Sequence, residues 1–332
     1  MAVVYVKEQG SIVRKRGERI LVEKDDALLL EIPLRQTDSV AIFGNVQVTT
    51  QALSELLERG IPLALYTRHG RLKGHLVPDV SKNVPLRVAQ YRTALDETAS
   101  LGIAKAVVRA KLRNAGRLLA DYRGHYPSDA LAAACDAMSR GAENAAGAAQ
   151  HSELLGVEGS AAAIYFGAFA EMNRSELPFD GRRKHPATDP INGLLSLGYT
   201  LATNEIRAVV EGAGLEPHLG FLHKVDYGRP SLALDLLEPY RSPLVDRLTL
   251  RLVNERVLTG ADFGKRVTGG AAGSVILLPD SFKRYLEAYE AAVSMPRERA
   301  PAGLREAWRA DVEKLAAAIR DGAGFAPYCE AE

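Results

Sequence analysis

The chain has 332 residues, 47% of them hydrophobic and 25% charged, with a formal net charge of +1. That length allows about two domains, and the balance excludes disordered and fibrous classes. A near-neutral total argues against a uniformly basic nucleic-acid binder and leaves only local patches for that role. No apolar run reaches the roughly 20 residues of a membrane span. The first residues read as a strand without signal-peptide features. Cys135 and Cys329 form no metal motif and read as reduced thiols in a cytoplasm.

In chain order, residues 3–6, 11–14, 19–22, 28–32 and 39–42 are short β-rich stretches parted by turn residues such as Gln9-Gly10 and Asp25-Asp26. One helix interrupts them. Thr49 or Thr50 caps it, Ala52, Leu53, Leu56 and Leu57 form its apolar face, and Gly60 ends it. Strands resume at 61–66 and 71–77, and Pro78 with 81–85 reads as a linker. Beyond it, helical spacing runs over about 87–98, 102–123, 128–149, 152–177, 189–213, 231–238, 243–258, 279–294 and 302–321. The fold class is therefore α+β multidomain. A small N-terminal β domain with one helix (1–84) precedes a larger all-α domain (85–332). The tail beyond Gly322 carries no motif.

Three constellations could carry chemistry. Glu158 lies in an almost wholly apolar helix with Gly156 and Gly159 beside it. A carboxylate buried there needs a cation, a metal or a raised pKa, although an exposed stripe would also accommodate it. Asp235 and Glu238, three apart on a short helix, share one face. With a histidine from the preceding loop they supply the ligand types of a divalent-metal site, magnesium or manganese. His218, in the same loop, reads as a satisfied core residue. Lys105, Arg109, Arg113 and Arg117 recur every fourth residue along one helix, with Lys111 close by. That stripe is either a solvated face or a phosphate contact. Arg182-Arg183-Lys184 forms a second basic cluster in a loop suited to DNA backbone, and Arg229 adds a cation beside the histidine loop. No phosphate-binding Gly-Lys-Ser/Thr loop, dinucleotide fingerprint, nucleophile elbow or zinc pattern is present.

Together these residues resemble the CRISPR-associated integrase of adaptation, closest to its type I-C form. The resemblance runs through residues 5–10, Phe43-Gly44-Asn45-Val46, 60–71, 83–91, Lys111-Leu112-Arg113-Asn114, 155–166, 189–199, Gly220-Phe221-Leu222-His223 and 231–238. It implies metal ligation by Glu158, His223 and Glu238, with Asp235 as the adjacent acid and Mg2+ or Mn2+ as cofactor. It implies a cytoplasmic prokaryotic enzyme that inserts spacer DNA into a repeat by 3′-hydroxyl transesterification. It further implies a homodimer formed through the β domain, a small ferredoxin-like adaptation partner in a heterohexamer, double-stranded DNA as substrate, and no membrane. On this reading Lys105, Arg109, Lys111, Arg113, Arg182, Arg183, Lys184 and Arg229 contact DNA. A metal-dependent nuclease using water, and a helical DNA-binding scaffold without activity, remain the alternatives.

Overall fold

The computed structural model describes residues 2–78, 83–183, 186–266 and 273–330. It divides into two compact units, Met1–Lys82 and Asn83–Glu332.

The first unit holds two four-stranded sheets and one helix. Strands β1 (Ala2–Val6), β2 (Ile12–Arg16), β3 (Arg19–Lys24), β4 (Ala27–Pro33), β5 (Thr37–Phe43), β6 (Gln47–Val48), β7 (Leu63–Tyr66) and β8 (Leu72–Leu76) arrange as β1-β5-β7-β8 and β4-β3-β2-β6. β1, β5 and β7 run parallel and β8 antiparallel; β3 pairs antiparallel with both β2 and β4. Helix α1 (Thr50–Glu58) is capped by the Thr49 hydroxyl, which accepts the Ala52 amide. Alternating residues of the strands, among them Val4, Val6, Val13, Ile20, Val40, Ile42 and Leu63, meet Leu56 of α1 in one core. Gly44 is left-handed, and a Cβ there would strike the Gln9 side chain, whose amide bridges Lys7 and Phe43 carbonyls.

The second unit is mostly helical: α2 (Val84–Leu95), α3 (Glu97–His125), α4 (Asp129–Gly147), α5 (His151–Met172), α6 (Pro190–Ala213), α7 (Ser231–Leu237), α8 (Arg247–Asn254), α9 (Pro279–Ser294) and α10 (Leu304–Asp321). α2 starts inside the stretch expected as linker. Pro85 sits in its first turn, where a missing N–H costs nothing, and Asn83 caps it. α3 is central, burying Val107, Val108, Leu112, Leu118 and Leu119 against α4, α5 and the segment after α7.

Two expectations need correction. The unit is not wholly helical, because β9 (Phe263–Arg266) and β10 (Ser274–Leu277) pair antiparallel. Four-residue strands, one with a central glycine, leave too little alternation to read. The expected helix over 243–258 is also interrupted. Pro239 and Pro243 each lack an amide donor, so the chain forms a 3₁₀ turn over Glu238–Tyr240 and a π turn over Arg241–Asp246 before α8 begins. Such π turns recur at functional sites.

Candidate active site

The loop between α6 and α7 brings its histidine to the carboxylates by backbone means. Asp235, in α7 and 1% exposed, accepts the amides of Phe221, Leu222 and His223 at 2.6, 2.9 and 3.0 Å. It also accepts His223 Nδ1 at 2.6 Å. Gly220 permits this approach, since a Cβ there would lie 2.6 Å from an Asp235 oxygen. Two more side chains hold the loop from outside. Gln90 of α2, fully buried, donates to the carbonyls of Glu216 and Leu219 and accepts the Glu216 amide. His151, opening α5, lies 3.0 Å from the Phe221 carbonyl. His218 is half-buried and paired with Glu216 rather than in a core.

A carboxylate only accepts, so in the neutral ring Nδ1 carries the proton and Nε2 keeps its lone pair. That nitrogen faces Glu238 Oε1 at 3.7 Å. The spacing of three between Asp235 and Glu238 therefore places one carboxylate on each side of the same imidazole. Asp235, with four donors on its two oxygens, fixes the ring and does not face the space beyond it.

Glu158 reaches that space from α5 and Lys111 from α3. The Lys111 ammonium contacts Glu158 and lies 2.7 Å from Glu238 Oε2, with Arg241 Nε 2.9 Å from the same oxygen. Burial would raise the Glu238 carboxyl, but Arg241, Lys111 and His223 hold it far below the usual carboxylate range. Burial works to lower the Lys111 ammonium, yet Glu238 and Glu158 lift it above the ordinary lysine value. Two carboxylates thus balance two cations, which answers the cost of burying Glu158 and Glu238.

These groups open on a cavity of about 690 Å³, whose lining also includes Tyr165, Phe166 and Phe179. Behind Glu238, buried Asp246 accepts the hydroxyls of Tyr165, at 2.7 Å, and Tyr199. Burial raises its carboxyl despite those bonds. Arg241 and Arg182 both lie over the Tyr199 ring, 4.5 and 5.4 Å from its centre.

The basic residues separate into distinct settings. Lys111 belongs to the carboxylate cluster. Arg182 lines the cavity and is held by Asn192 and Ser196. Lys105, Arg109 and Arg113 are half-buried on α3, whereas Arg117 is exposed and paired with Asp121 at 3.1 Å. Arg183 is exposed beside Asp180, Arg229 is half-buried in the histidine loop, and Lys184 lies outside the described residues. Sequence reasoning missed Arg241, Tyr165, Tyr199 and Asp246. Only Arg241 carried a signal, repeating after Glu238 the spacing of three.

Among the described residues, no three His, Cys, Asp or Glu side chains converge closely enough to chelate an ion as they stand. The donor set nevertheless suits one. Two carboxylates and an imidazole oriented by a third carboxylate are ligands of hard-to-borderline divalent ions. The Lys111 ammonium already holds a positive charge between the two glutamates. Nothing packs where a Cβ at Gly156 or Gly159 would stand, so the structure gives no steric reason for either glycine.

The family model described as CRISPR associated protein Cas1 matches residues 4–291. A curated relative from Rhodospirillum rubrum, named CRISPR-associated endonuclease Cas1 2, is 38% identical over 318 residues, covering 91% of this chain and 90% of its own. Two solved structures share the fold. A casposase bound to integration product aligns with TM-score 0.83 at 21% identity, over 100% of this chain and 94% of that one. A chain of a Cas6-RT-Cas1–Cas2 complex aligns with TM-score 0.83 at 24% identity, over 100% of this chain and 36% of that one.

Proposed function

The chain belongs to the Cas1 family of CRISPR-associated proteins, and we propose that it is a divalent-metal-dependent DNA integrase that joins new spacers to a CRISPR repeat array. The observation that carries this reading is the meeting of Glu158, His223 and Glu238 at one cavity wall, with Asp235 locking the imidazole. Glu158, Glu238 and His223 Nε2 would hold a Mg2+ or Mn2+ ion, with Lys111 drawn aside from its place between the carboxylates. When bound, that ion supplies Lewis-acid polarisation of a phosphodiester.

The residues do the rest. Asp235 keeps the Nε2 lone pair aimed at the site. Arg241 and Lys111 bring positive charge to within ion-pair distance of Glu238, hence next to a phosphate seated there. The incoming DNA's 3′-hydroxyl attacks a repeat phosphorus; a new phosphodiester forms, and the strand's own 3′-oxygen leaves and takes up the proton. Neither a covalent protein intermediate nor an external energy source is required. Lys105, Arg109, Arg113, Arg182, Arg183, Lys184 and Arg229 would hold phosphates, a salt-sensitive and largely sequence-independent contribution.

Hydrolysis by water on the same ligands is the second reading, favoured by the endonuclease name of the Rhodospirillum rubrum relative. The scaffold reading requires separated, solvated carboxylates, yet Glu238 is 3% exposed and shares Lys111 with Glu158. The casposase neighbour, bound to integration product, supports joining, and the Cas1–Cas2 neighbour supports a small protein partner. Homodimerisation through the β unit, the type I-C form and a cytoplasmic setting complete the proposal. Among the described residues, no helix is long and apolar enough to cross a membrane.

The test incubates the protein, with and without its small partner, with Mn2+, a short duplex bearing 3′-hydroxyls and a supercoiled repeat plasmid. Plasmid-linked fragment that vanishes with EDTA and with Glu158→Ala is expected. Cleavage without joining, partner included, would favour the nuclease instead.

A further inference from the structure

The 3₁₀ and π turns that carry Glu238, Arg241 and Asp246 lack amide donors at Pro239 and Pro243, so side chains from other elements add to what their own backbone bonds hold. Those side chains come from α3 and from the far end of the chain. Buried Asn114, one turn beyond Lys111 on α3, donates Nδ2 to the carbonyl of Pro239 at 2.7 Å and to that of Tyr328 at 3.2 Å. Its Oδ1 accepts the amide of Glu330 at 2.7 Å. The Tyr328 ring stacks on Tyr240, centroids 5.1 Å apart and planes within 9°. Buried Asp311 of α10 accepts both the Tyr240 hydroxyl, at 2.6 Å, and the Tyr328 amide, at 2.7 Å. Glu330 pairs with Arg297 at 2.6 Å, and Arg297 in turn donates to the Pro243 carbonyl.

Every one of these contacts ends on a residue within 239–243 or on the side chain that braces one. Tyr328 is 5% exposed, so the tail is seated rather than draped. It also lies beyond residues 4–291, the stretch that the family model matches.

We propose that Tyr328–Glu330 form a strap whose docking, through Asn114, Asp311 and Arg297, sets the position of Glu238. Tyr328 is a positioning residue, since it touches neither the carboxylate cluster nor the cavity. The inference rests on the site reading above for its consequence, but the strap itself can be tested without a metal.

The experiment uses the full chain with Tyr328→Ala, and Tyr328→Phe as the conservative variant, which keeps the stack and loses only the 3.1 Å hydroxyl bond to Glu330. Hydrogen exchange measured in EDTA should be faster at the amides of residues 240–247 in Tyr328→Ala and unchanged in the buried turns of α3. Mn2+ binding, followed by the spin-resonance signal of the free ion, should weaken about tenfold, as with other groups that brace metal ligands. Tyr328→Phe should restore both. DNA affinity in EDTA should stay at the wild-type value. Unchanged exchange over 240–247 in a folded variant would overturn the strap. Faster exchange with unaltered Mn2+ affinity would overturn its positioning of Glu238. A wild-type chain that binds no Mn2+ would defeat the metal reading instead, leaving the strap to be judged by exchange alone. If Tyr328→Ala fails to fold, Glu330→Gln, which weakens the ion pairs with Arg297 and Arg247 and leaves the Tyr328 ring in place, gives the same comparison.

Discussion

Lys111 is the residue whose replacement says most about the site. Lys111→Met keeps the length of the stem and removes the ammonium shared by Glu158 and Glu238. Glu238 would retain Arg241, whereas among the described residues Glu158 has no other ion pair. Removing one partner of a buried pair costs about 3–5 kcal/mol. Glu158 keeps 23% of its side chain exposed and Glu238 keeps one cation, which brings the expected loss to roughly 2–3 kcal/mol. For a unit of this size that is a fall in melting temperature of about 4–12 °C in EDTA. Mn2+ should reverse the loss. The variant no longer has an ammonium competing for the carboxylates, and an ion at a hundred times its Kd adds about 2.7 kcal/mol. Thermal melts of both proteins in EDTA and in Mn2+ decide the matter. A variant that melts with the wild type in EDTA, or gains no more from Mn2+ than the wild type does, would refute the reasoning.

Asp235→Asn substitutes an amide group where four donors converge, leaving at least one buried N–H facing another. Stability should fall by about 2–4 kcal/mol and Mn2+ affinity by about 10- to 100-fold, read by denaturant titration and by direct ion binding. Asp262 offers a pH prediction remote from the site. Burial opposes its ionisation, but the Thr259 amide and hydroxyl, Ser281 and Arg284 win and lower its carboxyl. Its contribution is therefore complete above the ordinary aspartate value of 3.8 and is lost as pH falls through the lower folded value. Asp262→Asn should be less stable than the wild type at neutral pH, with the difference shrinking below pH 3.8 in acid denaturation.

Much of the site is legible in the sequence because its carboxylates break local rules. Glu158 interrupts an apolar run, and Asp235 and Glu238 place two charges on one face of a helix that buries its leucines. Lys111 reads from the sequence as part of the DNA-contacting basic stripe, and the structure moves it to the carboxylate cluster. Two residues along a helix is a turn of roughly 200°, so a lysine two places from Arg109 and Arg113 faces away from the basic stripe they share. That opposite face looks toward α5, which is why Lys111 meets Glu158 instead of solvent. The proline pair 239 and 243 signals a break but not its form, since a π turn arises from what packs around it. The bracing by Asn114 and Tyr328 leaves no local pattern, because a side-chain amide meets a backbone carbonyl 214 residues away. The β9–β10 hairpin is too short for alternation to emerge.

The central claim is that Glu158, His223 and Glu238 share one divalent ion, and direct Mn2+ binding without DNA tests it most plainly. Spin-resonance titration of the wild type should give one tight ion per chain, lost alike in Glu158→Gln, His223→Ala and Glu238→Gln while far-UV circular dichroism stays native. Tight binding that persists through all three substitutions would put the ion elsewhere and contradict the account.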